Sequence, residues 1–171
     1  YLIELTPANA SKDEATALIE TVSNSLSEGA ELIETQVSAD HKLIFAIIES
    51  ENTAFAPALT AAIGERASVV GPDEVRLVGA ELDDIKKLKK DADYLVEWDI
   101  PAEITMEQYL TRKKANAPKY AEVPEVSFLR TYVREDTAKC LCFYDAPDED
   151  AVVRAREAVS TPIDRLFKLH A

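Results

Sequence analysis

The sequence predicts an α+β fold made of two βαββαβ units. An apolar strand-like run that ends in a carboxylate occurs twice, at residues 1–4 and 94–97, and each copy leads past a proline to a helical pattern. Two strand–turn–strand patterns also superimpose without a gap, so that Thr35 falls on Thr131. Because both halves show the same order of strands and helices, the pattern indicates an internal duplication.

The first unit is predicted over residues 1–80. Ser11 and Glu14 form the pattern of a capping box, in which the serine caps a helix amide and the glutamate reaches back. The following helix carries an apolar stripe that ends before Gly29. The remaining predicted elements are strands at 31–37 and 42–49, a helix that ends near Gly64, and a last strand at 69–70 and 74–78.

A charge-rich segment at 81–93 is predicted to be a linker helix, and the second unit is predicted over residues 94–171. Thr105 and Gln108 repeat the capping-box pattern. The basic run at 86–90 is flanked by aspartates, which favours a solvated linker over a nucleic-acid contact. The remaining predicted elements are strands at 126–134 and 139–144, a helix after Asp148, and a closing strand at 163–169.

Two βαββαβ units indicate ferredoxin-like folds, in which an antiparallel sheet carries both helices on one face. An internal duplication mimics, within one chain, the symmetry of a homodimer. The two units are therefore expected to form a pseudo-dimer that resembles a dimeric α/β barrel. The chain is expected to be a monomeric pseudo-dimer or a homo-oligomer.

Charge and composition exclude several classes of partner. The net charge of −13 argues against nucleic acid and anionic membrane surfaces, because phosphate binding requires clustered Lys and Arg. No apolar run reaches the roughly 20 residues that cross a bilayer, and no signal-peptide pattern is visible. The only cysteines, Cys140 and Cys142, do not form a disulfide scaffold, so a cytoplasmic location is predicted.

The second unit contains several sequence markers of a known family. They are the runs at 128–132, 140–147 and 162–166, together with Asp136 and Glu97. In these residues it resembles a small ferredoxin-like domain family, long of unknown function, that includes a nickel-binding homodimeric protein. The resemblance covers most of residues 94–171 and, through the repeat, more weakly 1–80.

The chain departs from this family on the last helix. Many members carry two histidines four residues apart around an Arg-Glu-Ala core, which places two imidazoles on one helical face. Here Arg156-Glu157-Ala158 is flanked by Ala155 and Val159, and the first unit has Leu59 and Ile63 at the equivalent positions. The metal binding of the family is therefore not expected by default, and the sequence identifies no cofactor.

Glu4 and Glu97 are the most distinctive candidate site residues, since a carboxylate inside an apolar strand requires a partner or solvent. As symmetry mates they would line a cleft, bind a cation or act as an acid and base; ordinary ion pairs are the favoured alternative. An aromatic and cationic pocket wall is predicted in the second unit alone, from Trp98, Arg130, Tyr132, Tyr144 and Arg154. The two cysteines are expected to be small core residues.

These features favour a non-enzymatic binding protein for a small molecule or a divalent cation. No recognisable catalytic set supports an enzyme: the histidines are His41 in a predicted turn and His170 beside the end of the sequence. A cofactor-independent enzyme of the dimeric α/β-barrel type and an assembly module are the alternatives.

Overall fold

The computed structural model describes residues 1–88 and 91–169. The chain divides into two compact units, the first formed by Tyr1–Glu74 and Ile85–Lys87 and the second by Val75–Asp84 and Leu88–Leu169. The first unit contains β1 (Leu2–Pro7), α1 (Lys12–Ser25), β2 (Ala30–Val37), β3 (Ile44–Ser50), α2 (Ala56–Ile63) and β4 (Ala67–Asp73).

The sheet of the first unit is antiparallel, with strand order β2-β3-β1-β4. Alternate residues of the central strands, such as Ile3 and Ile48, share one core with Leu18 of α1 and Leu59 of α2. Both helices therefore cover the same face of the sheet, as a βαββαβ chain requires when its strands alternate in direction.

The second unit repeats this arrangement and adds an edge strand, giving the order β5-β7-β8-β6-β9. Its elements are β5 (Val75–Val78), β6 (Tyr94–Asp99), α4 (Met106–Asn116), β7 (Ser127–Arg134), β8 (Lys139–Asp145), α5 (Glu149–Ala158) and β9 (Arg165–Lys168). The four-residue helix α3 (Leu82–Ile85) precedes β6 in the chain, and its last residue belongs to the first unit. A 3-10 helix, Ala117–Glu122, follows α4. The predicted pair of ferredoxin-like units is confirmed.

The two hairpins match in detail as well as in topology. Asp40 and Asp136 each accept a hydrogen bond from the backbone amide two residues later, at 3.1 and 3.0 Å. The next residues, His41 and Thr137, adopt left-handed backbone angles of φ 61° and 60°. Each hairpin also has a register shift, before Glu34 in the first and at the equivalent position in the second. The duplication therefore preserves turn chemistry and strand register together.

The strand at Val75–Val78 differs from the sequence interpretation, which placed residues 74–78 in the first unit. It pairs with β7 of the second sheet, and Arg76 donates to both carboxylate oxygens of Glu135 at 2.8 and 3.1 Å. An alternating apolar pattern identifies a strand but does not specify which sheet edge it joins. The linker helix is also shorter than predicted, and Lys89 and Lys90 of the basic run lie outside the described residues.

The two predicted capping boxes have different outcomes. In α4 both bonds are present, from the Gln108 amide to the Thr105 hydroxyl and from the Thr105 amide to the Gln108 side chain. In α1, Ser11 accepts from the Glu14 amide as predicted. The Glu14 carboxylate instead pairs with Arg66 at 3.1 Å, a partner from a distant part of the chain that local spacing does not reveal.

Within the described residues, none of the helices is long and apolar enough to span a membrane.

Candidate ligand pocket of the second unit

A pocket lies between α4 and the helix-covered face of the second sheet. Its cavity volume is about 40 Å³. A site of this size admits on the order of three waters, or a small group of a larger ligand. The described residues that line it are Trp98, Tyr109, Arg112, Lys113, Asn116, Ala117, Tyr120, Phe128, Cys140, Cys142, Arg156, Val159 and Thr161.

Helix α4 contributes four of the lining side chains. Tyr109, Arg112, Lys113 and Asn116 follow the spacing i, i+3, i+4, i+7, so they share one helical face. The capping box fixes where this helix begins. The packing of α4 on the sheet turns this face towards the pocket.

The floor of the pocket comes from neighbouring strands. Trp98 of β6 lies opposite Cys140 of β8, and Cys142 lies two residues further along the same strand. Both cysteines are 1% exposed, and their sulfurs are 4.0 Å apart. The Thr131 hydroxyl donates to the Cys142 sulfur at 3.1 Å. Both cysteines belong to the buried core, as predicted, and they also line the pocket.

Arg156 of α5 forms the inner wall and is held by two hydrogen bonds. It donates through Nη1 to the Tyr144 hydroxyl at 3.0 Å and through Nη2 to the Pro162 carbonyl at 2.7 Å. The Tyr144 and Tyr120 hydroxyls are themselves 2.7 Å apart. Arg156 is 2% exposed. The network thus places a permanent cation, with a fixed orientation, beside the two sulfurs.

Two further cations flank the pocket above aromatic rings. The Arg112 guanidinium carbon lies 5.5 Å from the Trp98 ring centroid, and the Lys113 ammonium lies 4.4 Å from that of Phe128. Such cation–π contacts hold both charges at the pocket. Arg112 also donates through Nη2 to the Ser160 carbonyl. Among the described lining residues none is an aspartate or glutamate. The pocket is therefore locally cationic in a strongly acidic chain.

Two buried polar atoms at the pocket have no hydrogen-bond partner among the described residues: the Tyr109 hydroxyl and Arg156 Nε. Tyr109 is only 4% exposed. A buried donor without a partner costs about 1–3 kcal/mol. A bound ligand or an ordered water that accepts from these groups would remove that cost.

The pocket perturbs the titration of its own residues. Burial raises the pKa of Tyr109 and Tyr144 well above the ordinary tyrosine range, and burial raises the pKa of Tyr120 to about 12. The hydrogen bond between the cysteines lowers the pKa of Cys142 and raises that of Cys140, and nearby Lys113 and Arg156 also lower the pKa of Cys142. Cys142 is therefore the sulfur that loses its proton first.

The predicted pocket wall is divided between different surfaces. Trp98 lines the pocket, and Tyr144 hydrogen bonds to its wall. Strand alternation places Arg130 and Tyr132 on the opposite sheet face, where both rest on Phe143: the Arg130 guanidinium carbon is 4.9 Å from the ring centroid and the Tyr132 ring 5.9 Å. The structure therefore does not bring these four side chains together in one wall.

Arg154 projects from α5 and pairs with Glu125 at 2.7 Å, with 56% of its side chain exposed. It is absent from the pocket lining, because the buried face of α5 is formed by other positions, among them Ala155 and Arg156.

The paired carboxylates also lie away from the helix-covered faces of their sheets. Glu4 is opposite Phe45 in β3, and Glu97 holds the equivalent register position opposite Leu141 in β8. Glu97 is 3% exposed, accepts a hydrogen bond from Arg165 and lies 3.6 Å from Lys139. Its charge is thus compensated within the second unit.

Sequence reasoning missed the pocket face of α4, although a signal was present. Counted from the helix caps, Tyr109, Arg112, Lys113 and Asn116 correspond to apolar residues of α1 in the first unit. Those counterparts are Ala15, Leu18, Ile19 and Val22. A change from an apolar stripe to an aromatic and cationic stripe between two repeats indicates that one copy has gained a site.

The first unit has a wider cleft, about 410 Å³, among loops at residues 27–30, 50–52 and 54–55. Its charged lining residues, Glu28 and Glu51, are both acidic. It lacks the combination of cations, rings and unpartnered buried donors that marks the second unit.

A nickel site of the kind that the family resemblance implies does not fit this chain. The positions that would carry helix histidines, Ala155 and Val159, are 0% and 4% exposed in the apolar interior. Across residues 1–88 and 91–169, no group of three or more His, Cys, Asp or Glu side chains is placed to hold a metal ion.

Comparison with known proteins finds a matching family for the second unit. Residues 94–169 match the family described as nickel responsive protein SCO4226-like. The crystal structure of SCO4226 from Streptomyces coelicolor A3(2) aligns with 46% of this chain and 95% of its own, at 18% identity and a TM-score of 0.40. No curated protein sequence matches the chain.

Two solved structures align with almost the whole chain. A candidate chlorite dismutase, TA0507, covers 98% of this chain and 94% of its own, with 13% identity and a TM-score of 0.55. A candidate monooxygenase from Lactobacillus acidophilus NCFM covers 98% and 90%, with 12% identity and a TM-score of 0.53. At these identities the likeness shows the fold alone, and it confirms the predicted class of two ferredoxin-like units resembling a dimeric α/β barrel. The family resemblance is confirmed too, for the second unit matches the SCO4226-like family over residues 94–169.

Proposed function

We propose that this chain is a binding protein whose second unit takes a small organic anion with an apolar or aromatic body. One observation carries the proposal: three cationic side chains, Arg112, Lys113 and Arg156, converge on a pocket lined by aromatic rings. Charge-assisted hydrogen bonds to an anion are stronger than neutral ones. Arg156 and Tyr109 present donors that have no partner among the described residues.

The geometry supports an anion over a divalent cation at this position. A divalent cation would lie beside three positive groups, with two thiols as the nearest anionic ligands and none of the lining residues a carboxylate. A carboxylate group, in contrast, supplies the acceptors that Arg156 and Tyr109 require. The apolar body of the ligand would lie against Trp98 and Phe128, two of the aromatic rings that line the pocket.

The first unit explains why a single site is proposed. Cys142 and Cys140 correspond to Ala46 and Ile44, which lie in a closed apolar core. Trp98 corresponds to Leu5 of the same core. Binding is therefore assigned to one unit, and the other serves as its apolar counterpart in the duplication.

The test uses Trp98, the only tryptophan in the chain, as an intrinsic reporter. Titration with benzoate is expected to change the Trp98 fluorescence in a saturable manner, while benzyl alcohol at the same concentrations leaves it unchanged. Saturation by the neutral alcohol with equal affinity would contradict an anion site, because the cations would then contribute nothing.

A matched pair of variants locates the binding. Lys113→Gln should weaken benzoate by roughly tenfold, since a hydrogen bond to a charged group contributes about 1.5 kcal/mol or more. Lys114→Gln removes the same charge from the next residue of α4, which is exposed and outside the lining. Equal losses in both variants would indicate general electrostatic attraction and overturn the assigned pocket.

The divalent-cation alternative is tested separately by calorimetry. Nickel, zinc and copper(II) titrated at micromolar protein should release no heat of specific binding. A saturable nickel signal that Glu97→Gln removes would favour the carboxylate site over the pocket as the functional centre.

A further inference from the structure

The cysteine pair forms a feature that anion binding does not use. Cys140 and Cys142 lie on one face of β8, both line the pocket, and their sulfurs are 4.0 Å apart. In the first unit the equivalent positions are apolar. The two thiols are therefore specific to the unit that has the pocket.

We infer that Cys140 and Cys142 bind a soft monovalent metal cation of the copper(I) class. Thiolates are the ligands that such ions prefer over imidazole and carboxylate. Two metal–sulfur bonds of about 2.3 Å that span the observed 4.0 Å enclose an angle of roughly 120°. This angle suits two sulfurs of a trigonal site, whose third position opens into the pocket.

Charge balance selects a monovalent ion. Binding converts two thiols and one copper(I) ion into a bis-thiolate complex with one negative charge, and two protons leave to solvent. Arg156 compensates that charge: it is 2% exposed, is fixed by Tyr144 and Pro162, and its Nε has no partner among the described residues. A divalent ion would require more anionic ligands than the described lining residues provide.

The surrounding residues prepare the thiols for this role. Thr131 donates a hydrogen bond to the Cys142 sulfur at 3.1 Å, and the cationic side chains of Lys113 and Arg156 line the same pocket. The Tyr109 hydroxyl, buried and without a partner among the described residues, lies at the same pocket. These contacts are consistent with a metal-binding thiolate pair and have no counterpart in a purely apolar core.

The experiment uses the full chain, reduced and free of oxygen. Titration with copper(I) as its acetonitrile complex, and with silver(I) as a redox-stable substitute, is followed by near-ultraviolet thiolate-to-metal absorbance and native mass spectrometry. One equivalent is expected to bind, and X-ray absorption of the copper(I) complex should show sulfur ligands. If wild-type protein binds neither ion, or if bound copper shows only nitrogen and oxygen ligands, the inference is overturned.

Variants separate this site from the anion site. Cys142→Ala copies Ala46 of the first unit and should fold, as checked by circular dichroism, yet lose more than about 100-fold in affinity for copper(I). The anion function is tested separately, by benzoate titration of wild-type protein. Unchanged copper(I) affinity in Cys142→Ala would overturn the inference, whereas loss of benzoate binding in wild-type protein would affect only the proposed anion function.

Discussion

At the scale of single residues, the clearest contrast is between polar groups with partners and those without. Tyr144 bonds to Tyr120 and Arg156, while the Tyr109 hydroxyl has no partner among the described residues. Tyr144→Phe should therefore lower the free energy of unfolding by about 1–2 kcal/mol. Tyr109→Phe should change it by less than about 0.5 kcal/mol, or increase it, and should weaken benzoate. Urea denaturation of both variants checks this, and equal destabilisation would contradict the assignment of Tyr109 to the site.

Glu97 provides a second prediction at this scale. Its side chain is 4% exposed and pairs with Arg165 and Lys139, whereas Asp99, which also binds Arg165, is 54% exposed. Glu97→Gln should cost about 1.5–3 kcal/mol, the contribution of a charge-assisted bond in a buried setting. Asp99→Asn should cost less than about 1 kcal/mol, because water screens an exposed pair. Guanidinium or urea midpoints compare the two, and the reverse order would show that Glu97 is not structural.

At the scale of elements, the two first helices of the units differ in how they begin. Thr105→Ala removes the side-chain acceptor of a complete capping box and should cost about 0.5–2 kcal/mol. Ser11→Ala should cost a similar amount in α1. Glu14→Gln should have a smaller effect, since its partner Arg66 is 41% exposed and the pair lies at the surface. Thermal unfolding followed by circular dichroism would measure these differences. A large loss of stability in Glu14→Gln would indicate that the glutamate contributes to the helix cap.

At the scale of the whole molecule, the net charge of −13 dominates. Self-repulsion destabilises a compact chain, and about 0.1 M salt screens charges beyond roughly 10 Å. Raising sodium chloride from a few millimolar to about 0.5 M at neutral pH should therefore increase the melting temperature. A decrease would mean that the local ion pairs outweigh the net repulsion.

Acid should lower the stability of the fold through three carboxylates whose pKa values are lowered in the folded state. Hydrogen bonds from Arg165 lower the pKa of Asp99, and those from Arg134 and the Ala138 amide lower that of Asp136. The Ser38 hydroxyl and the Lys42 amide do the same for Asp40. The folded-state pKa values of these three carboxyl groups lie below the unfolded value of about 4. The stabilisation that these groups contribute is therefore complete above that pH and is lost as the pH falls below it. Unfolding midpoints between pH 7 and 3 check the sign, and Asp136→Asn should flatten the acidic limb.

Much of this protein was determined by local sequence pattern. The strand alternation, the capping residues and the equivalent hairpins depend on neighbours within a few positions, and they predicted the two ferredoxin-like units that the structure contains. The family markers of the second unit are also contiguous runs, which is why the resemblance could be recognised there.

Only the tertiary structure decided which candidate residues meet. Glu97 and Trp98 are adjacent in sequence, yet strand alternation sends one to an ion-pair network and the other to the pocket. Tyr109, Cys142 and Arg156 come from three different elements, and the packing of α4 and α5 on the same sheet face brings them together. The sequence by itself determined the elements and their duplication, because those depend on local periodicity; the structure decided the site, because a site depends on side chains that long-range packing places side by side.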